Sequence, residues 1–183
     1  MSQFLSSIIF SLFFLLILHQ SSIVSGSIVE KTCNRCAKID QGFDYNLCVS
    51  LLNSNPKSRN ADLSGLGVIS LDIAGTKAAN VQSTINKLLK SLPDGRKYEK
   101  GCLEDCLELY TDAVSQLRDS VDAIKSRRID DARTWISAAV DVASTCEDGF
   151  QERGLKSPLK KENDEYLKTV LIPLDIAALL DTK

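Results

Sequence analysis

Residues 106–146 read CLELYTDAVSQLRDSVDAIKSRRIDDARTWISAAVDVASTC, and this stretch predicts the fold. Apolar residues recur at three- and four-residue steps on both sides of a polar run centred on residue 126. That pattern is typical of two amphipathic helices joined by a turn. Cys106 and Cys146 lie at equal distances from the turn, so they face each other in an antiparallel hairpin, where a disulfide could join them without distorting the backbone.

The same arrangement occurs near the start of the chain. Cys33 and Cys48 lie at equal distances from the polar turn Asp40–Gly42, within a smaller predicted hairpin. In the chain-entropy model, closing the first loop is worth roughly 3 kcal/mol and the longer loop about 4 kcal/mol. Because the chain has six cysteines, other pairings are formally possible. Both bridges are therefore inferences from position.

The remaining two cysteines have no obvious partner. Cys36 follows Cys33 by three residues, and Cys102 precedes Cys106 by four, so each shares a helix face with a cysteine of a predicted bridge. A third bridge from the hairpin to the bundle, two free thiols, and a link between two molecules all remain open.

Four longer helices follow the first hairpin. We expect the first of them to begin at Asn60 as N-cap and to end at the turn Pro93–Gly95. The second and third flank the turn at residue 126, and the third ends near Gly154. Ser157 and Pro158 are typical of an N-cap followed by a proline in the first turn, which opens the last helix.

These elements predict an all-α, disulfide-stapled protein. Residues 59–183 form an up-down-up-down four-helix bundle, and residues 27–58 form a helical hairpin ahead of it. Trp135, the only tryptophan, falls on an apolar face and is expected in the core. Pro173 lies inside the last helix, where we expect a kink or a break because proline lacks the amide donor.

The first residues favour export. Residues 8–18 form an apolar run that is short for a membrane span, and residues 24–26 are small or β-branched and suit cleavage. We therefore expect residues 1–26 to be a signal peptide and residues 27–183 to be a mature, secreted, apoplastic protein. No Lys or Arg precedes the apolar run, so a retained anchor is the alternative.

Cleavage would remove His19, the only histidine. Without imidazole, Ser-His-Asp and Cys-His catalysis and most zinc sites are excluded. Acidic pairs such as Glu147-Asp148 are interpreted as solvated helix faces. We therefore expect no enzyme activity, no catalytic residues, no metal and no cofactor. The sequence has no basic stripe interleaved with aromatic residues, so we expect no nucleic-acid partner. We also expect no membrane contact after cleavage.

The turn between the two helices of the opening stretch is the candidate partner-binding site. Arg127 and Arg128 stand at its tip, followed by Ile129 and Asp130. Such a tip can be steered onto a partner surface by charge complementarity. The alternative is a loop that is only solvated, and the sequence leaves both interpretations open.

Several stretches together resemble the plant invertase and pectin methylesterase inhibitor family over nearly the whole mature chain. They are Val29–Cys33, Tyr45–Val49, Ala61–Ser70, Cys106–Tyr110, Ser137–Ala139 and Thr145–Phe150. The resemblance implies a four-helix bundle with an N-terminal hairpin and the bridges Cys33–Cys48 and Cys106–Cys146. Cys36 and Cys102 fall outside the family's usual four cysteines and inherit no role.

The resemblance also implies a function, which is to bind and block a plant cell-wall or vacuolar invertase, or a pectin methylesterase, by non-covalent occlusion. Some invertase inhibitors of this family present a Pro-Lys-Phe motif from a bundle loop, and this chain has no such tripeptide. No inhibitory residue is therefore carried over. The alternatives are a secreted scaffold or carrier of an apolar ligand that has lost inhibition, and an enzyme. A homodimer also remains open.

Overall fold

The computed structural model describes residues 26–181, which fold into helices joined by short turns. The predicted signal peptide lies outside the described residues except for Gly26. Two short helices, α1 (Ile28–Ile39) and α2 (Tyr45–Ser54), form the hairpin. The four longer helices are α3 (Leu63–Ser91), α4 (Lys97–Lys125), α5 (Ile129–Glu152) and α6 (Lys160–Asp181). The all-α prediction is confirmed, and the described range contains no strand.

The four longer helices form an up-down-up-down bundle, as predicted. α3 packs against α4, α4 against α5 and α5 against α6, and α6 returns to α3. α3 comes very close to its neighbours at Gly67, where a Cβ atom would lie 3.2 Å from Ile124 Cδ1 and 3.5 Å from Ile176 Cγ2. A larger residue at this position would push the helices apart.

The hairpin packs on one end of the bundle, against α3 and α6, and has a core of its own. The Cys33–Cys48 disulfide joins α1 to α2 with Cα atoms 5.9 Å apart. The Cys106–Cys146 disulfide joins α4 to α5 with Cα atoms 5.0 Å apart. Both distances fit ordinary disulfide geometry. No helix between residues 26 and 181 is both long enough and apolar enough to cross a membrane.

Two helix starts differ from the prediction. Asn60 is not the N-cap of α3, because it ends a separate 3-10 turn that Asn55 and Pro56 begin. The cap is Asp62, whose carboxylate accepts a hydrogen bond from the Gly65 amide at 2.7 Å. At α6, the Ser157 hydroxyl accepts from the Leu159 amide at 3.1 Å, so it caps a turn and the helix begins three residues later.

Pro173 does not break α6, which continues to Asp181. The proline removes the amide that would have bonded to the Thr169 carbonyl. The helix tolerates this loss because α6 is held on several sides at once, by α3, by α5 and by the hairpin. Pro173 itself is buried. Of the kink or break that the sequence predicts at Pro173, the continuous helix excludes the break.

A buried hydrogen-bond network links three parts of the bundle near the Cys106–Cys146 bridge. The Tyr110 hydroxyl donates to Asn163 Oδ1 at 2.6 Å. Asn163 Nδ2 donates to Glu147 Oε1 at 2.6 Å, and the Ser157 hydroxyl donates to the same oxygen at 2.6 Å. The network therefore ties α4, α5 and α6 together, with the loop before α6.

Two tyrosines meet edge to face in the same region. The ring centroids of Tyr110 and Tyr166 are 5.0 Å apart, with the planes at 72°. The Tyr166 hydroxyl donates to the Ala139 carbonyl at 2.8 Å. Burial raises the pKa of both tyrosines above the usual range, so both stay protonated donors.

One carboxyl group between the hairpin and the bundle has an oxygen without a hydrogen-bond partner. Asp175 Oδ2 on α6 is buried and has no hydrogen-bond partner among residues 26–181. Burial, and then the nearby charge of Asp40, raises the pKa of Asp175 to about 6. The folded state therefore holds this proton more tightly than the unfolded chain does, and the stability that results is lost as pH rises from about 4 through about 6.

We expect Asp175→Asn to reduce the pH dependence of stability, because the asparagine side chain has no carboxyl group to ionise. Thermal unfolding followed by circular dichroism at pH 4 and pH 7 measures it, with exposed Asp164→Asn as the control. From pH 4 to pH 7, the melting temperature should fall in the wild type and in the control. The fall should be several degrees larger than in Asp175→Asn. An equal loss in all three proteins would show that Asp175 does not carry the effect.

Candidate functional site

The turn between α4 and α5 forms a compact, exposed tip that brings Arg127, Arg128, Ile129 and Asp130 together. α4 ends in a Schellman-type arrangement, in which the Arg128 amide donates to the Ala123 carbonyl at 2.9 Å. The Arg127 amide donates to the Ile124 carbonyl at 3.0 Å. These bonds reverse the chain within a few residues and fix the backbone of the tip.

Arg127 occupies the position that such a turn usually gives to glycine. Its φ angle is +58°, the left-handed region in which a Cβ atom is strained. The Arg127 side chain is exposed, and it forms no ion pair among the described residues. A strained residue that projects a free charge is a reasonable candidate for contact with a partner.

Arg128 is held in place, unlike its neighbour. Its guanidinium pairs with the Asp131 carboxylate at 2.6 Å and lies 5.7 Å from the centroid of the Trp135 ring. Trp135 is only half-buried, at the edge of the core. Trp135 therefore packs against the core, as expected, and Arg128 lies over its ring at the edge of that core.

The remaining two candidate residues start α5. Ile129 is half-buried against the bundle core, and Asp130 is exposed. Asp130 and Asp131 place carboxylates in the first turn, where the helix dipole favours negative charge. The tip therefore presents two cations and two carboxylates around an aromatic edge, which suits recognition of a charged protein surface.

Cys36 and Cys102 are free thiols, and both are buried. Cys36 belongs to the hairpin core and Cys102 to the bundle core, so the structure does not bring them together. Burial raises the pKa of Cys36 to about 12 and also raises the pKa of Cys102. Both therefore remain protonated and unreactive at acidic and neutral pH.

The described part of the chain has no candidate metal site. Between residues 26 and 181, no three His, Cys, Asp or Glu side chains are placed to hold an ion. Glu147, interpreted from sequence as solvated, instead accepts two short hydrogen bonds in the buried network. No signal in the sequence distinguishes it from the exposed Asp148 beside it.

Comparisons with known proteins agree with this architecture. The model of the family described as "Plant invertase/pectin methylesterase inhibitor" matches residues 27–176. A candidate invertase inhibitor from Platanus acerifolia is 40% identical over 171 residues, which are 92% of this chain and 93% of that protein. Pectinesterase inhibitor 12 from Arabidopsis thaliana is 32% identical over 184 residues, covering 98% of this chain and all of that protein.

A solved structure is similar as well. The crystal structure of a mutant form of an Arabidopsis pectin methylesterase inhibitor superposes with a TM-score of 0.65 at 21% identity, covering 84% of this chain and 97% of that one. At that identity it supports the fold alone. The chain belongs to the plant invertase/pectin methylesterase inhibitor family.

We expect Arg127→Gly to stabilise the protein by about 1 kcal/mol, because glycine adopts a positive φ without strain. Urea unfolding followed by circular dichroism measures the change. The control is Arg128→Gly, because Arg128 has φ −91° and loses its contacts with Asp131 and Trp135. That variant should be less stable than the wild type. If Arg127→Gly destabilised the protein as much as the control does, Arg127 would not be strained.

Proposed function

We propose that the mature chain is a secreted protein inhibitor that binds a plant cell-wall invertase or pectin methylesterase and blocks it non-covalently. Membership of the inhibitor family carries this proposal, because the match spans nearly all of the described domain. Relatives of similar length are named as inhibitors of both enzyme classes. The target class therefore follows from the family, and the individual enzyme is left to experiment.

Arg127, Arg128, Ile129 and Asp130 are the proposed contact residues. Three features of the tip support this choice: its exposure, its fixed backbone, and the Arg128 side chain held over Trp135. Pre-organised side chains lose little conformational entropy on binding, and arginine and tryptophan are frequent anchors at protein interfaces.

Export by a signal peptide at residues 1–26 and residence in the apoplast are part of the same proposal. A relative named as a cell wall and vacuolar inhibitor of fructosidase supports such a location. The alternative of a homodimer rests on Ile39 and Tyr45, which are exposed apolar side chains on either side of the hairpin turn.

A carrier of apolar ligands has less support. It would require a Leu- and Ala-lined cavity between bundle helices. A groove of about 490 Å³ lies instead at the surface, between α2, α3 and α6. Its lining includes charged groups, among them the Lys77–Glu165 ion pair. No observation favours this function over inhibition.

Titration of each enzyme with the oxidised mature protein at acidic pH tests the proposal. We expect stoichiometric loss of activity of either a plant cell-wall invertase or a pectin methylesterase. Arg127→Gln with Arg128→Gln should weaken inhibition roughly tenfold through loss of two charged contacts. The control is Lys161→Gln with Lys168→Gln, which makes the same charge change on the exposed side of α6.

The outcomes separate the two parts of the proposal. Activity of both enzymes unchanged by the correctly folded wild type would contradict the inhibitor function. Full inhibition by the double arginine variant would place the contact surface elsewhere and leave the function intact. Equal weakening by both double variants would indicate a general charge effect rather than a contact at the tip.

A further inference from the structure

The end of the bundle opposite the arginine tip is basic. Residues 87–100 contain five Lys or Arg and only two Asp or Glu, and residues 151–156 add two basic residues and one acidic residue. The two segments meet in space, because the start of α4 packs beside the end of α5. This basic end therefore stands out in a chain whose net charge is −2.

A single aromatic ring is exposed at this basic end. Tyr98 is 67% exposed, the largest exposure among the large apolar side chains of the described residues. The Arg153 guanidinium carbon lies 5.4 Å from the Tyr98 ring centroid. The contact joins the first turn of α4 to the residue that follows α5, and it places a cation over one face of an exposed aromatic ring.

Two cations at this end are available to a ligand: Lys97, which precedes Tyr98 in the sequence, and Arg153, which lies over its ring. Arg96 pairs with Glu99, and Lys100 lies 3.4 Å from Glu104. Lys97 and Arg153, in contrast, form no ion pair with any residue between 26 and 181. Beside them, the turn between α3 and α4 forms a shallow groove of about 390 Å³ with a basic rim.

We propose that this basic end binds an acidic polysaccharide. Lys97 and Arg153 contact its carboxylates, and a sugar ring lies on Tyr98. Guanidinium and ammonium groups bind carboxylates through charge-assisted hydrogen bonds, and an aromatic face packs against the C–H groups of a pyranose ring. A chain of uronic acids offers both features in every residue.

The geometry favours this partner over other polyanions. Proteins that bind single-stranded nucleic acids stack successive bases on several aromatic side chains, and this surface has one ring. An amphipathic helix on an anionic membrane buries a broad apolar face next to its cations, and Tyr98 is the only exposed large apolar side chain at this end of the described residues. The choice of uronate rests on the proposed function, because a pectin methylesterase converts methyl esters to carboxylates on its sugar chain.

Binding at this end would hold the inhibitor where the product of such an esterase accumulates. α4 spans about 43 Å between the two ends of the bundle, since each of its 29 residues advances the helix by about 1.5 Å. The arginine tip would therefore remain free to contact an enzyme while the basic end contacts polysaccharide.

Isothermal titration calorimetry of the oxidised mature protein with polygalacturonate at pH 6 tests the proposal. We expect binding that weakens as the salt concentration rises, and little binding to fully methyl-esterified pectin. Lys97→Gln with Arg153→Gln should weaken the affinity roughly tenfold. Tyr98→Ala should weaken it several-fold, with Tyr45→Ala as the matched tyrosine control.

The charge control is Arg127→Gln with Arg128→Gln, which makes the same change at the opposite end and should leave the affinity unchanged. Circular dichroism checks that every variant is folded. The proposal is overturned if polygalacturonate does not bind at low salt, or if both double variants weaken binding equally. It is overturned equally if anionic vesicles or single-stranded DNA bind as tightly. Since no enzyme is present, a negative result here leaves the inhibitor proposal intact.

Discussion

The bundle depends on the buried network around Asn163. This side chain accepts from Tyr110 on α4 and donates to Glu147 on α5, and Glu147 also accepts from Ser157 in the loop before α6. Apolar packing alone permits helices to slide or rotate, because it is non-directional. The buried Tyr110–Asn163 hydrogen bond and the partly buried Asn163–Glu147 bond, both 2.6 Å, oppose such a movement, since a shifted helix would leave Tyr110 or Asn163 unpaired in the interior. The Cys106–Cys146 bridge lies against the same network, with its sulfur 3.5 Å from Asn163 Nδ2.

The long helices place two separate surfaces at opposite ends of the bundle. The arginine tip lies at one end of α4 and α5, and Tyr98 with Arg153 lies at the other. The hairpin adds a second, smaller core beside the tip, stapled by Cys33–Cys48 and docked on α3 and α6. A rigid rod with different charge patterns at its ends suits a protein that acts by binding and carries out no reaction.

Much of the fold could be predicted from the sequence, because its main signals are periodic or symmetric. The three- and four-residue apolar steps predict the helices, and the positions of four cysteines about two turns predict the two hairpins. The failures have local causes. Asn60 competes with Asp62 as a cap, and only the 3-10 turn before it decides between them. Pro173 remains in a continuous helix because neighbouring elements hold it.

Less of the functional surfaces could be predicted. The four tip residues follow from the turn, but the left-handed backbone of Arg127 and the contact of Arg128 with Trp135 depend on how α4 ends. Glu147 resembles the exposed Asp148 in sequence, and only its contacts across the bundle distinguish it. The most direct test of the account is a double-mutant cycle of Tyr110→Phe and Asn163→Ala, measured by urea unfolding. The account predicts that each single change costs about 1–3 kcal/mol and that the two are coupled by at least about 1 kcal/mol. Additive effects would show that the two side chains act independently and would contradict the account.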